Sequence, residues 1–376
     1  MEIQETLQEV CRRFRIPGTI TEYRHLTTGN INTSYYVKCT LDENTFKEYL
    51  VQKVNCYVFK DPVSVMHNID LVTEHIRKQK EKDGKCQRRE RLHFHHTEDG
   101  KNYVFLESSE GREFWRLSNF IENSYSFDLS DDLNVLKMSG KAFGQFEAQL
   151  QSFDATLLTE TIPHFHDTRM RLDNFFKDVD EDICGRCKEA KEEIEYIRSN
   201  YSIGCRLNEM IDHKEIPFRV THNDTKTNNV LFDNETGEPL VVIDLDTVMP
   251  GLAAFDFGDT IRFAASTALE DEPDTSRVSL SMDKFRAFTE GYITETAGFL
   301  SEKELDSMAL GAVTITLELA SRFLDDYITG DKYFKINYPE HNLVRTRAQL
   351  TLLKDMLAKY EEMDLCVHEI AARCKS

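Results

Sequence analysis

The amino-acid sequence predicts an α+β protein, with an antiparallel sheet in a smaller N-terminal part and a larger, mainly helical C-terminal part. Strand-like runs separated by turn residues come early, at Thr19–His25, Ser34–Cys39 and Tyr49–Val54. After residue 130 the apolar residues recur instead at helical spacing, as in Asn134–Phe153. A polar hairpin at Arg219–Thr247 interrupts the helical part and carries most of the functional signal.

The N-terminal part has a simple order of predicted elements. An amphipathic helix over residues 2–15 comes first and ends at Pro17-Gly18. The three strands are followed by a helix over Val63–Lys80 and by two more strands, Tyr103–Glu107 and Glu113–Glu122. The last strand should lead into a hinge near residue 122. We therefore predict an N-terminal nucleotide-binding lobe of residues 1–122 and a C-terminal catalytic and substrate-binding lobe of residues 123–376.

The C-terminal part is predicted to be helical on both sides of the hairpin. The apolar periodicity predicts helices at Ile183–Ser199, Asp283–Thr294 and Glu302–Tyr327, and a closing helix or helix pair over Arg345–Cys374. The sequence contains no internal repeat and no low-complexity tract. The 376 residues are enough to bury a large core.

The composition excludes several classes of protein. With 40% hydrophobic and 30% charged residues, it is typical of a soluble globular protein. The net charge of -20 argues against a nucleic-acid surface, because phosphate backbones are bound by basic patches. The first residues lack the apolar core of a signal peptide, and no later apolar run is expected to span a membrane, so a cytoplasmic location is expected. The sequence leaves the oligomeric state open.

The nine cysteines are expected to be reduced thiols. Their only close pair is Cys184-Gly185-Arg186-Cys187, and a zinc ribbon would need a second such pair. Two His-rich segments, His93–His96 and His164–Asp167, are expected to be a strand edge and a helix cap rather than metal sites.

The hairpin carries a pattern of polar residues that suits phosphoryl transfer. His222 and Asp224 precede the first strand, Asn229 comes five residues after Asp224, and the second strand ends at Asp244. A phosphoryl transferase needs a carboxylate to accept the proton of the acceptor hydroxyl and oxygen ligands for Mg²⁺. The spacing H-x-D-x-x-x-x-N, then a strand and an Asp, matches the protein-kinase catalytic loop. We therefore predict a kinase-like, two-lobed fold, with Asp224 as general base and Asn229 and Asp244 as metal ligands. The alternative is a plain hairpin with solvated carboxylates.

A second acidic motif, Asp256-Phe257-Gly258, spells the metal-binding DFG of protein kinases. It lies well beyond the hairpin, after the Pro250-Gly251 break. A metal ligand should lie on the strand that pairs with the strand after Asn229, where Asp244 falls. We interpret Asp256 as a structural carboxylate that braces the catalytic loop.

These segments resemble a known family. THNDTKTNNVLFD followed by VVIDLDTVMPGLAAFDFGD resembles the Brenner-type motif of the aminoglycoside phosphotransferase family, which has a kinase-like fold and phosphorylates small molecules. More narrowly, GNINTSYYV, LVQKVN, LTETIPHFHDT, RFAASTALEDE and YPEHNLVRTR are similar to the N-acetylhexosamine 1-kinases of that family, over nearly the whole chain. The resemblance implies ATP and Mg²⁺ as cofactors, and GlcNAc or GalNAc as the small-molecule partner that is phosphorylated at O1.

The resemblance also implies binding residues. Backbone groups of Phe120, Ile121 and Glu122 would contact adenine. The loop over Thr27–Thr33 would contact phosphates and sugar. The remaining residues implied are Asn32 for the nucleotide, and Asn30, Asp246, Arg322 and Tyr333 for the sugar.

One expected cation is missing from its usual place. Kinase-like folds carry a lysine on the third strand that contacts the α- and β-phosphates. Here Gln52 occupies that position, and Lys53 should point to the opposite face of the sheet. Two alternatives therefore stay open: another small-molecule kinase of this fold, acting on an aminoglycoside, choline or another hexose, and an ATP-binding pseudokinase that serves as a partner module.

Overall fold

The computed structural model describes residues 3–27, 31–82, 84, 88–109, 111–127 and 130–375. They form two compact units. The N-terminal unit comprises Met1–Tyr125, Thr156–Ile162 and Leu231–Met249, and the C-terminal unit comprises the remaining residues. The predicted fold class is confirmed: an antiparallel sheet is followed by a mainly helical part.

The N-terminal unit contains a five-stranded antiparallel sheet with the order β1-β2-β3-β5-β4. Its strands are β1 (Thr19–Leu26), β2 (Thr33–Thr40), β3 (Phe46–Val54), β4 (Val104–Ser108) and β5 (Gly111–Asn119). Helix α1 (Ile3–Arg13) packs its apolar face on one side of the sheet. The resulting core contains Leu7 and Val10 of α1 together with Val37, Val51, Trp115 and Leu117 of the strands.

The opposite side of the central strands is also buried. Arg116 and Ser118 alternate with Trp115 and Leu117 along β5, and all four are almost completely shielded from solvent. Because successive side chains of a strand point to opposite faces, Arg116 lies on the face away from α1. Helix α2 (Pro62–Lys82) follows β3, and its buried residues include Met66 and Asn68.

The hairpin predicted from the sequence is present. Strand β8 (Val230–Asp233) lies between β6 (Ser124–Tyr125) and β9 (Pro239–Val242) in a three-stranded sheet. Backbone N–H groups of Glu235 and Thr236 donate to the Asp233 side chain at 2.8 and 2.9 Å, which closes the turn. The turn chemistry thus places the two strands next to each other as predicted.

The C-terminal unit is built around a long buried helix, α9. Its helices are α3 (Leu133–Leu150), α4 (Thr168–Glu181), α5 (Lys191–Ser199), α6 (Tyr201–Asp212), α7 (Ala253–Ala264), α8 (Met282–Thr296), α9 (Glu302–Thr329), α10 (His341–Ala358) and α11 (Tyr360–Lys375). A short strand pair, β7 (Arg219–Thr221) and β10 (Met249–Gly251), completes it. Helix α9 packs against α4, α6, α7, α10 and α11.

Helix α7 crosses α9 at a very short distance. A Cβ atom on Gly258 would lie 2.5 Å from the backbone of Gly311, and one on Gly311 would lie 2.0 Å from the carbonyl oxygen of Ala254. Only glycines permit this contact, which fixes α7 on the central helix.

Within the described residues, α9 is the one helix long and apolar enough to cross a membrane, and 89% of its most apolar window is buried inside the protein. No apolar run of this length is expected from the sequence. Its apolar residues form the core of the C-terminal unit.

Three local predictions need correction or extension. The helix predicted to start at Ile183 starts at Lys191, because Asp182 and Gly185 have left-handed backbone and a short 3-10 turn, Cys187–Glu189, precedes the helix. The closing segment is a helix pair that breaks at Lys359. Helices α6 and α7 were not foreseen. The lobe boundary at residue 122 remains a prediction.

Candidate active site

The loop that follows β7 carries the predicted catalytic motif, and its backbone is fixed by one buried carboxylate. Asp256, in the first turn of α7, accepts the backbone N–H of His222 at 2.6 Å and that of Asn223 at 2.7 Å. The Thr225 hydroxyl donates to the carbonyl oxygen of Asp256 at 2.6 Å. Asn223 has a left-handed backbone, with φ of 62°. These contacts are the bracing contacts expected for Asp256.

The same carboxylate is buried among apolar and titratable groups. Asp256 is 2% exposed and His222 is fully buried, with its ring packed edge-on against Phe143 and Phe146. Burial raises the pKa of Asp256 to about 6, although His222 and the backbone N–H groups act in the opposite direction. Asp256 therefore belongs to the interior of the C-terminal unit.

Asp224 is held by the two polar residues that follow it in the loop. The Asn229 side-chain amide donates to the Asp224 carboxylate at 3.2 Å and to its carbonyl oxygen at 2.8 Å. Lys226 lies 2.8 Å from the other carboxylate oxygen. Burial disfavours the charged lysine, but Asp224 and Asp259 outweigh this effect and raise the pKa of Lys226. The structure brings Asp224 and Asn229 together, as the motif spacing implies.

Lys226 was missed in the sequence analysis. It could have been recognised from its position in the motif, because it lies two residues after Asp224 within the same tight loop. A cation at that distance fixes the orientation of the carboxylate.

Asp244 and Asp246 belong to the N-terminal unit, where they follow β9. Asp244 has a left-handed backbone, with φ of 60° and ψ of 58°, and its side chain is exposed. Asp246 lies two residues later in a single 3-10 turn, Leu245–Thr247. An exposed carboxylate at the end of a strand is suited to a hard cation such as Mg²⁺.

The Asp246 carboxylate is occupied by protein groups. Arg116 binds both of its oxygens, and the Asn32 side-chain amide donates to Oδ2 at 2.6 Å. Asn32 was expected at the nucleotide and Asp246 at the sugar, and both roles remain predictions. Asn30, the other loop residue assigned to the sugar, lies outside the described residues.

Across the described part of the chain, three of the six backbone groups in the segment assigned to adenine form no hydrogen bond. The Phe120 amide donates to a carbonyl of β3 at 3.1 Å, Ser124 donates to the carbonyl oxygen of Ile121 at 2.6 Å, and Arg89 donates to that of Glu122 at 3.0 Å. The groups left are the carbonyl oxygen of Phe120 and the amides of Ile121 and Glu122. One acceptor therefore lies two residues before a donor.

The structure also brings together Arg322 and Tyr333, the two sugar-binding candidates of the C-terminal unit. The Arg322 guanidinium donates to the Tyr333 hydroxyl at 3.4 Å and lies 5.6 Å from its ring centroid. The side chain of Asp326 accepts the backbone N–H groups of Lys332 and Tyr333, each at 2.8 Å, which shapes the turn after α9. Tyr333 is 73% exposed.

The two His-rich segments contact carboxylate side chains. Among the residues that the structure describes, no group of three or more His, Cys, Asp or Glu side chains is arranged to hold a metal ion. His96 instead lies 3.1 Å from Asp70. Asp167 caps α4 by accepting the Met170 N–H at 3.2 Å, as predicted, and the His166 ring is 3.1 Å from Glu318.

An antiparallel sheet followed by a helical part with this braced loop defines a kinase-like protein. Residues 29–279 match the phosphotransferase enzyme family, APH, and the chain belongs to that family.

Solved structures share the fold. One is a spectinomycin phosphotransferase in complex with ADP and spectinomycin, with 14% identity, a TM-score of 0.54, and coverage of 96% of this chain and 98% of that one. Another is a choline kinase from Cryptosporidium parvum Iowa II, with 12% identity, a TM-score of 0.56, and coverage of 97% and 98%. A third is a microcompartment-associated aminopropanol kinase, with 12% identity, a TM-score of 0.53, and coverage of 95% and 97%.

Proposed function

We propose that the protein is an ATP-dependent anomeric kinase that converts a free N-acetylhexosamine, GlcNAc or GalNAc, to its 1-phosphate. The observation that carries this proposal is the Asp224 carboxylate, held by Asn229 and Lys226 on a loop braced by Asp256. In the proposed reaction Asp224 accepts the proton of the O1 hydroxyl. The bond from O1 to the γ-phosphorus forms, the bond from that phosphorus to the β-phosphate oxygen breaks, and ADP leaves.

The residues present fit a magnesium ion. Because the Asn229 amide nitrogen donates to Asp224, its side-chain oxygen is the atom left to bind a cation. Asp244 adds an exposed carboxylate. We propose Asn229 and Asp244 as the protein ligands, since Mg²⁺ prefers oxygen ligands and is commonly held by one or two carboxylates together with phosphates. When bound, it would neutralise charge on the phosphates.

The free backbone groups support the proposed adenine contact. The carbonyl oxygen of Phe120 can accept from the exocyclic amino group of adenine, and the amide of Glu122 can donate to a ring nitrogen. The carbonyl oxygen of Ile121 is already bonded to Ser124, so its amide is the backbone group that Ile121 could still contribute.

The arginines near Tyr333 offer hydrogen-bond donors that suit a sugar. Arg322 contacts Tyr333, and Arg171 lies near enough to Arg322 for the two charges to interact. Glu318 interacts with both arginines and Asp326 accepts the Tyr333 N–H, so the local charge is mixed and does not by itself select between a neutral and a cationic acceptor. A sugar offers hydroxyl and amide oxygens that an arginine can bind. The wider sequence similarity to N-acetylhexosamine 1-kinases supports the same choice.

A single assay tests the proposal. The purified protein would be incubated with Mg·ATP and a panel of GlcNAc, GalNAc, glucose, choline and spectinomycin, while ADP release is followed. We expect turnover with the two N-acetylhexosamines and a phosphorus NMR signal coupled to the anomeric proton. Phosphate at O6 would exclude an anomeric kinase, and turnover with choline or spectinomycin alone would favour a kinase that phosphorylates a hydroxyl group of a cationic acceptor. ATP binding without any turnover would point to a pseudokinase.

A further inference from the structure

Arg116 lies on the same face of the sheet as position 52, where kinase-like folds usually carry a lysine. It lies on β5 directly opposite Gln52 of β3, and residues paired across two antiparallel strands project from the same face. Lys53 projects from the other face, where its amino group lies 3.3 Å from Glu113. On this face of the sheet, the positive charge therefore comes from Arg116 of β5 and not from β3.

The Arg116 guanidinium is fixed by all three of its nitrogen atoms. Nε donates to Oε1 of Gln52 at 2.9 Å, while Nη1 and Nη2 bind the two carboxylate oxygens of Asp246. The two charged side chains are 3% and 4% exposed. Burying two charges is expensive, so such a pair is weak evidence for stability. A bidentate arginine–carboxylate contact does, however, fix the orientation of the carboxylate as well as its position.

Gln52 is suited to this arrangement in a way that lysine is not. Its amide nitrogen donates to the Ser34 hydroxyl at 3.0 Å, which turns its carbonyl oxygen towards Arg116. A lysine at position 52 would remove that acceptor and add a second positive charge beside a buried guanidinium. Gln52 therefore suits Arg116 because it supplies a neutral acceptor for the guanidinium group.

The orientation of Asp246 matters because of the backbone that carries it. Asp244 has a left-handed conformation, which residues with a side chain rarely adopt and which the surroundings must hold. Two further side chains help to hold this turn. Asn32 donates to Asp246 at 2.6 Å, and Asn68 donates to the carbonyl oxygen of Val248 at 2.9 Å.

We propose that Arg116 is a positioning residue for the metal aspartate: by fixing Asp246 it holds the turn in which Asp244 presents its carboxylate to Mg²⁺. The proposal rests on the proposed function for the role of Asp244. It implies that the hydrogen-bond network of Gln52, Arg116, Asp246 and Asn32 increases the affinity of the site for Mg²⁺. A supporting group of this kind is typically worth 10- to 100-fold in metal affinity.

The test measures nucleotide binding and needs no sugar. ATP affinity of the purified protein would be determined by calorimetry without metal and over a Mg²⁺ titration, for wild type, Arg116→Lys, Gln52→Ala and the control Lys53→Met. Gln52→Ala removes the acceptor for Arg116 Nε without adding a charge. We expect Arg116→Lys and Gln52→Ala to raise roughly tenfold or more the Mg²⁺ concentration at which half of the metal-dependent gain in ATP affinity is reached. Metal-free ATP affinity should stay unchanged, and Lys53→Met should match wild type.

Two results would overturn the proposal. The first is a folded Arg116→Lys protein with the wild-type Mg²⁺ requirement. The second is an equal loss of ATP affinity with and without Mg²⁺, which would mean that Arg116 contacts the phosphates directly. If Arg116→Lys does not fold, Gln52→Ala makes the same distinction. A shifted Mg²⁺ requirement in a protein that phosphorylates no sugar would leave this proposal standing and refute the proposed function.

Discussion

The Asp256 carboxylate accepts the backbone N–H of His222 at 2.6 Å, and this hydrogen bond ties the first turn of α7 to the start of the loop after β7. The other oxygen of the same carboxylate accepts the N–H of Asn223. The loop that carries Asp224 is therefore attached to a helix that itself packs closely on α9. Because of this attachment, we expect replacement of Asp256 to affect stability and replacement of Asp224 to affect turnover.

Replacing Asp256 should destabilise the fold. Asp256→Ala leaves two buried backbone N–H groups without acceptors, each worth about 1–3 kcal/mol. We expect a clear loss of unfolding free energy in urea denaturation. Asp256→Asn, which keeps one acceptor oxygen, should lose less. An Asp256→Ala protein with wild-type stability and an altered Mg²⁺ requirement would show that Asp256 is the metal ligand instead.

Replacing Asp224 should impair turnover and spare binding. We expect Asp224→Asn to bind ATP normally but to turn over roughly 10²- to 10⁴-fold more slowly, because general-base catalysis is worth about that much. Steady-state kinetics with GlcNAc and calorimetry with ATP would measure the two effects. Asp212→Asn, at a surface ion pair with Arg169, is the matched control. Near-normal turnover of Asp224→Asn would exclude Asp224 as the base.

Replacing Arg322 should act on the acceptor. Arg322→Ala removes the guanidinium next to Tyr333, and we expect the KM for the sugar to rise much more than the KM for ATP. Arg347→Ala, which breaks an exposed ion pair with Glu193, should change neither constant. Equal increases in both KM values would contradict a specific sugar contact.

Glu147 should make stability depend on pH. It is fully buried and accepts the Tyr292 hydroxyl at 2.5 Å, and burial raises its pKa from 4.5 to about 8. Between these values the folded protein holds a proton that the unfolded chain has released. The stabilisation is therefore complete below about pH 4.5 and is lost as the pH rises through about 8.

The variant Glu147→Gln cannot titrate at this position, so its unfolding free energy should fall less between pH 5 and pH 8.5 than that of wild type. Urea denaturation at several pH values would measure both slopes. Tyr292→Phe, which keeps the carboxyl group, should retain the pH dependence. Equal slopes for wild type and Glu147→Gln would show that Glu147 is ionised in the folded protein.

Several parts of the site could be predicted because they depend on residues close together in the chain. The hairpin of β8 and β9 follows from turn chemistry at Asp233, and the contact of Asn229 with Asp224 lies within one tight loop. The alternation and helical periodicity of apolar residues likewise predicted where the strands of the sheet and most helices lie along the chain. The start of α5 was predicted too early, because a 3-10 turn contains the same polar residues as a first helical turn.

The sequence by itself determined the fold class and the contact of Asn229 with Asp224, since side-chain periodicity and local hydrogen bonds depend on residues that are close together in the chain. Only the tertiary structure decided which distant groups meet. Arg116 and Asp246 are 130 positions apart, and their contact depends on the register of β5 against β3 and on the turn after β9. The acceptor role of Asp256 likewise depends on the packing of α7 on α9. Sequence spacing carries no information about such contacts, because strand register and helix packing are set by the whole core.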